Sequence, residues 1–211
     1  MNRPDFSNYL AHFTTTGEPN VADDSANVGL QWKDLSALEK LISILKNKMI
    51  NATIMPWTFV PAVCFTECPW SSFIAHTQAY SPYGIGFSKA FIYSRHGGPV
   101  FYMRPDHFKR QKVQKFDKYV LPFITPFAPK YRPKQMENAT IMKTVDYTHE
   151  REWRVPHDLL FEYDQIEFII LEKYEDLQMV PEDIIQSIGI EKFLFMDTYK
   201  KIETLWPVHR L

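Results

Sequence analysis

Glycine is scarce in this chain, and that scarcity limits the folds open to it. The 211 residues include 7 Gly against 15 Pro, and four of the glycines lie between Gly84 and Gly98. Nucleotide-binding folds built on glycine-rich phosphate loops need several glycines at fixed spacing. The sequence has no P-loop, Rossmann, α/β-hydrolase or zincin motif. Kinases, GTPases and the other classes that depend on these motifs are therefore disfavoured.

Hydrophobic periodicity predicts an α+β fold. Ser36 and Glu39 frame a capping box, and apolar residues at helical spacing follow as far as Met49, so a helix is expected there. Strands are predicted at residues 9–14, 62–66, 83–88, 99–102, 151–155, 166–171 and 193–195, and helices or turns at 71–80, 107–120 and 181–188. Because neither a repeat nor a linker divides the chain, we expect a single domain over residues 1–211.

A proline-rich segment interrupts this pattern at about residues 121–145. Pro122, Pro126, Pro129 and Pro133 follow one another at intervals of three or four residues. A regular helix or strand does not tolerate that spacing, so the sequence predicts a long ordered loop.

Charge is unevenly distributed although the net charge is only −1. Residues 104–134 carry nine Lys or Arg against Asp106 and Asp117, whereas residues 158–191 carry ten acids against Lys173. The basic region would suit a polyanion such as DNA or RNA. The alternative is that both regions are ordinary solvated faces.

Two cysteines, Cys64 and Cys68, are too few for a disulfide framework, and their spacing does not indicate zinc. Free thiols and no metal site are expected. The first residues contain no apolar leader segment, and no run of 18 apolar residues occurs. We therefore expect a cytoplasmic protein with no membrane partner.

Three segments carry candidate chemistry: residues 12–14, residues 83–88 and residues 148–154. In a strand, Glu150, Glu152 and Arg154 would share one face. Two neighbouring carboxylates repel each other, so the pair needs an arginine partner, a metal, a catalytic role or full solvent exposure. The spacing leaves these alternatives open.

The order of these segments resembles a known family. His-Phe-Thr at residues 12–14, Cys-Phe-Thr-Glu at 64–67, Tyr-Gly-Ile-Gly-Phe at 83–87 and Glu-Arg-Glu-Trp-Arg at 150–154 look like the AbiGi-type abortive-infection family of phage-defence proteins. The likeness spans most of residues 9–175. More distantly, the same segments are similar to the ADP-ribosyltransferase fold, which implies a split β-sheet core with flanking helices.

The resemblance implies NAD as cofactor and assigns roles to individual residues. Glu152 would be the catalytic carboxylate that stabilises the oxocarbenium-like charge as nicotinamide leaves, and Glu150 would orient or deprotonate the acceptor. The residues that would bind NAD are His12, Thr14, Tyr83, Phe87 and Ser88. Those that would contact a nucleic-acid acceptor are Lys130, Tyr131 and Arg132, in the proline-rich loop.

The expected function is therefore NAD-dependent ADP-ribosyl transfer to a macromolecule, in phage defence or a toxin–antitoxin system. One alternative is a non-enzymatic antitoxin or sensor subunit that keeps the fold in order to bind a partner. A second alternative is a metal-dependent nuclease that uses Glu67, Glu150 and Glu152.

Overall fold

The computed structural model describes residues 7–15, 34–67, 81–113, 117–128 and 146–205. Strands and helices alternate irregularly in these ranges, which confirms the α+β class. The strands are β1 (Tyr9–Phe13), β2 (Met49–Ile50), β3 (Thr53–Ile54), β4 (Pro61–Phe65), β5 (Gly84–Ser88), β6 (Gly98–Pro99), β7 (Phe101–Met103), β8 (Ile124–Pro126), β9 (Trp153–Val155), β10 (Leu159–Leu160), β11 (Ile166–Leu171) and β12 (Phe193–Phe195). The helices are α1 (Ala37–Asn47), α2 (Lys89–Ser94), α3 (Pro105–Val113), α4 (Glu182–Ile188) and α5 (Met196–Leu205).

Two four-stranded sheets organise these elements. The first sheet has the order β1-β5-β11-β12, with only the β11–β12 pair parallel, and the second has the antiparallel order β3-β4-β9-β6. A bridge between Ala11 and Thr66 joins β1 of the first sheet to the end of β4 in the second. The bridge brings the residues that follow β4 close to the first sheet. The ADP-ribosyltransferase-like arrangement of the sheets and the single-domain organisation both stay predictions.

Helix α1 begins as the sequence predicts. The Ser36 hydroxyl accepts a hydrogen bond from the Glu39 amide at 3.2 Å, and the Ser36 amide donates to the Glu39 carboxylate at 2.7 Å. This capping box satisfies two of the donors that a helix N-terminus leaves unpaired. Leu41 and Leu45 are fully buried in the main core, together with residues from both sheets such as Phe65 and Phe87.

Several boundaries differ from the predicted ones. Strand β9 begins at Trp153 rather than at residue 151, because Arg151 has a left-handed φ of 45° and closes a 3-10 turn, Thr148–Glu150. Helix α3 starts and ends earlier than the predicted 107–120, and α5 was not predicted.

The first part of the proline-rich segment is regular rather than a loop. It forms a 3-10 turn, Leu121–Phe123, and then β8. Pro122 lies in the first turn, where a missing amide costs nothing, and Pro126 ends the strand.

Some predictions fall outside the described residues. These are the helix or turn at 71–80, the rest of the proline-rich loop at 129–145, Cys68, and the proposed acceptor contacts Lys130, Tyr131 and Arg132. In the described ranges, no helix is both long and apolar enough to cross a membrane. The cytoplasmic location stays a prediction.

Candidate functional site

Glu152, the predicted catalytic carboxylate, lies in a buried ion pair. Its two oxygens accept from Arg154, Oε1 from Nε at 2.7 Å and Oε2 from Nη2 at 3.0 Å. Thr125 also donates to Oε2 at 3.2 Å. Glu152 is 8% exposed and Arg154 1% exposed. This side-on, two-bond pairing is the strongest geometry available to an arginine and a carboxylate.

The remaining donors of Arg154 hold the polypeptide on the other side of the pair. Nη1 donates to the carbonyls of Pro122 and Ile124 at 2.9 and 3.0 Å, and Nη2 donates to the Thr125 hydroxyl at 2.6 Å. The guanidinium therefore ties β9 to residues 122–125. Burial, followed by the charge of Glu152, raises the pKa of the neighbouring Cys64 thiol. Burial raises the pKa of Tyr102 to about 12.

Glu150 does not share a face with Glu152, contrary to the predicted strand. It belongs to the 3-10 turn, and its carbonyl accepts from the Thr66 hydroxyl at 2.7 Å and from the Glu67 amide at 3.1 Å. The left-handed residue Arg151 separates the two glutamates, so the alternation that the sequence suggested is broken between them.

Glu67 forms a second buried ion pair. Its carboxylate lies 2.7 Å from the Lys89 ammonium and 3.8 Å from Arg151, and the Ser7 amide donates to it at 3.3 Å. The Lys89 ammonium also lies 5.5 Å from the centroid of the Trp153 ring. Glu67 therefore has the cationic partners that a buried carboxylate requires.

The residues of the first predicted motif lie within the fold's own hydrogen-bonding network. The ring of His12 is half-buried on β1, and Nδ1 lies 2.9 Å from the Cys64 carbonyl, so Nδ1 carries the proton and donates. Burial lowers the pKa of His12. Thr14 is buried and donates to the Ala37 carbonyl at 2.8 Å, which links the end of β1 to α1.

The residues of the second predicted motif, 83–88, pack in the core, cap a helix and contact two carboxylates. Phe87 has no exposed surface and packs against Phe91 and Phe161, so its ring has no face open to a ligand. The Ser88 hydroxyl caps α2 by accepting from the Phe91 amide at 3.2 Å. Tyr83 is half-buried, and its hydroxyl lies 3.1 Å from Asp176 and 3.4 Å from Glu172.

The structure brings together only some of the predicted residues. Thr14 and Tyr83 are adjacent, with the Thr14 amide donating to the Tyr83 carbonyl at 3.0 Å. Among the described residues, no hydrogen bond joins Glu152 to His12, Thr14 or Tyr83. In the same ranges, no group of three or more His, Cys, Asp or Glu residues is arranged to hold a metal ion.

The sequence left an arginine partner open for Glu152 but gave no indication of Thr125. The alternation of Glu152 and Arg154 left an ion pair among the open explanations, and that explanation is the observed one for Glu152. Thr125 had no comparable signal because it pairs across 27 positions of chain. Asp176 and Glu172 likewise reach Tyr83 only through the fold.

The fold and contacts define an α+β protein whose two buried candidate carboxylates, Glu67 and Glu152, are both ion-paired. A family model described as "Putative abortive phage resistance protein AbiGi, antitoxin" matches residues 37–121. The match confirms the resemblance predicted from the motifs, but over a shorter range that includes neither His12 nor Glu152. Neither the curated proteins nor the solved structures yield a match to this chain.

Proposed function

We propose that this chain is a non-enzymatic, partner-binding subunit of a phage-defence system, and that it acts as the antitoxin for a cognate toxin. The description of the matching family supports the role. An antitoxin that acts by binding requires a stable folded surface and no reacting group of its own.

The environment of Glu152 is the observation that carries the proposal. A transferase glutamate must reach a ribose hydroxyl at an open cleft, whereas this carboxylate is 8% exposed and accepts three hydrogen bonds from its own chain. Removing one partner of such a pair leaves a buried charge uncompensated, so Arg154 and Glu152 stabilise each other's burial. These contacts support a structural role for the residue on which the enzymatic hypothesis depends.

The test is co-expression with the protein encoded by each adjacent gene. We expect one of those proteins to arrest growth when expressed alone, and this chain to restore growth and co-elute with it in size-exclusion chromatography. Restoration should persist in Glu152→Gln wherever thermal melting shows that the variant is folded. Glu167→Gln, at an exposed position of β11, is the matched control.

ADP-ribosyl transfer is the competing prediction, and the same variants distinguish it. Wild-type protein incubated with labelled NAD and nucleic acid or protein acceptors would release nicotinamide if the transferase hypothesis holds. Release that is lost in folded Glu152→Gln and kept in Glu167→Gln would contradict a purely binding role. Magnesium-dependent cleavage of nucleic acid that a chelator abolishes would instead support the nuclease alternative.

A further inference from the structure

A groove on the acidic side of the protein is not used by any contact described so far. It lies between the 3-10 segment Tyr174–Met179 and the start of α4, and its volume is about 560 Å³. The residues that line this acidic groove include Tyr174, Leu177, Met179, Pro181, Glu182 and Ile185. Tyr174 is 65% exposed and Met179 is 59% exposed. Two large side chains with apolar surface are therefore exposed to solvent beside the groove.

Exposed tyrosine and methionine are suited to binding another protein. Tyrosine supplies a large, stiff contact area and is enriched among the residues that dominate interface energy. Methionine is flexible and adapts its shape to a partner. The Tyr174 ring is held edge-on against Phe195 with centroids 5.4 Å apart, so part of the surface is already fixed in position.

Carboxylates outnumber cations near the groove: Glu182 lines it, and Glu175, Asp176 and Asp183 are close in sequence to its lining residues, against the exposed Lys173 beside Tyr174. Glu175, Glu182 and Asp183 are exposed and form no salt bridge with a described residue. Asp176 is 8% exposed and accepts only from neutral donors, the Tyr83 hydroxyl and the Lys173 amide. The single proton of that hydroxyl is also shared with Glu172. A cation arriving from outside would therefore be favoured at this surface.

We propose that the acidic groove is the docking surface for a basic amphipathic helix of the partner protein, whose apolar side chains would enter beside Tyr174 and Met179 while lysines or arginines meet the surrounding carboxylates. The proposal rests on the proposed antitoxin function and names the chemistry of its partner. A helix laid in a groove presents both kinds of side chain at once. A nucleic acid would be repelled by the same carboxylates.

The first experiment uses a synthetic probe and does not require the partner. The probe is a labelled amphipathic helix of about fifteen residues, roughly four turns, with leucine on one face and lysine on the other. Its binding is measured by fluorescence anisotropy to wild type, to Glu175→Lys/Glu182→Lys, to Met179→Asn, and to the control Glu167→Lys. A second probe with glutamate in place of lysine reports the contribution of charge.

We expect binding of the lysine probe to weaken by about tenfold or more in both groove variants, because charge and apolar contact are each removed. The control should bind like wild type, and the glutamate probe should bind more weakly throughout. The substituted side chains are exposed, so the variants should stay folded with only a small change in melting temperature, the largest from Glu182→Lys at the start of α4. Equal binding of the lysine probe to wild type and to the groove variants would overturn the proposal.

The second experiment separates failure of the groove from failure of the proposed function. The same variants are tested for restoring growth against the toxic adjacent-gene product. Loss of restoration in the groove variants alone supports the groove, and full restoration by those variants overturns it while leaving the antitoxin role intact. If the wild-type protein does not restore growth, the antitoxin role fails, and the probe measurement alone tests whether the groove binds a basic helix. Self-association that the groove variants abolish in sedimentation would identify a second copy as the occupant and overturn the proposal.

Discussion

Arg154 is a charged residue that is held in the interior by a complete set of partners. A guanidinium has five N–H donors, and the five bonds described above use all of them, with acceptors on Glu152, Thr125 and two carbonyls. Burying an arginine without these acceptors would cost several kcal/mol of folding free energy. The network therefore stabilises the fold only while every member is present.

Replacing the arginine alone should be strongly destabilising. Arg154→Met leaves the Glu152 carboxylate buried without a countercharge, and we expect the free energy of unfolding to fall by about 3–5 kcal/mol. The double variant Glu152→Leu/Arg154→Met removes both charges and should recover part of the loss, although the Pro122 carbonyl loses its arginine donor and the Ile124 carbonyl keeps only the Trp57 indole N–H at 2.9 Å. Urea denaturation measures the free energy of unfolding of the single and the double variant, and Arg110→Met, at an exposed arginine, is the control. A double variant no more stable than Arg154→Met would contradict this explanation.

His12 should make the stability of the protein depend on pH. Burial lowers its pKa below the ordinary value of 6.5, so the unfolded chain takes up a proton at a pH where the folded chain does not. The stability that neutral His12 contributes is therefore fully present above pH 6.5 and is lost as the pH falls toward the folded-state pKa.

This dependence is measured as urea unfolding free energy from about pH 8 to about pH 5. His12→Gln, which keeps a donor for the Cys64 carbonyl but does not titrate, should flatten the curve in this range. His149→Gln, at an exposed histidine, should leave the wild-type slope. Identical slopes for wild type and His12→Gln would show that another group is responsible.

At the scale of elements, β5 and β11 meet at a glycine opposite an aromatic ring. Gly86 pairs with Phe168 in the antiparallel register, and a Cβ at Gly86 would overlap the Phe168 ring. A ring that lies over a cross-strand glycine covers the exposed backbone there. This close approach explains why a glycine occupies the centre of a buried strand.

Gly86→Ala should therefore destabilise the first sheet. We expect a loss of about 1–3 kcal/mol from overpacking, recovered in part by the double variant Gly86→Ala/Phe168→Leu. Gly98→Ala is the matched control, because the nearest atom to its new Cβ would be 3.7 Å away on Phe123. Thermal melting of the four proteins provides the comparison, and equal losses at the two glycines would contradict the packing argument.

Sequence patterns predicted correctly those elements that depend on residues close together in the chain. The capping box of α1 and the apolar run of β11 depend on neighbouring residues, and both were confirmed. The candidate site was less predictable because its partners are distant in sequence: Glu67 meets Lys89, and Tyr83 meets Asp176. The prediction that Glu150 and Glu152 share a strand face was wrong, because Arg151 between them has a left-handed φ. An arginine rarely adopts that conformation, so the sequence does not indicate it.

For the whole molecule, the uneven distribution of charge should control association rate. Residues 158–191 carry ten acids against one lysine, and all of them lie in a described range. Attraction between exposed charges is screened over about 10 Å at 0.1 M salt. A basic partner should therefore bind more slowly as salt is raised.

We expect the association rate of the lysine probe to fall by about tenfold between low and moderately high salt, with a smaller change in the dissociation rate. Stopped-flow fluorescence gives both rates. Glu175→Lys/Glu182→Lys should bind slowly even at low salt and respond little to salt. If salt changes mainly the dissociation rate, long-range electrostatic steering does not explain the salt dependence of binding.

Two consecutive residues of β7 hold both ends of a chain segment. The Met103 carbonyl accepts from the Phe127 amide at 2.7 Å, and the Tyr102 hydroxyl donates to the Tyr147 carbonyl at 2.9 Å. Positions on either side of residues 129–145 are thus fastened to the same strand. Closing a longer or shorter connection between fixed points changes the entropy only slowly. Insertions and deletions between Phe127 and Tyr147 should therefore add little entropic cost to closing the chain between these two anchors.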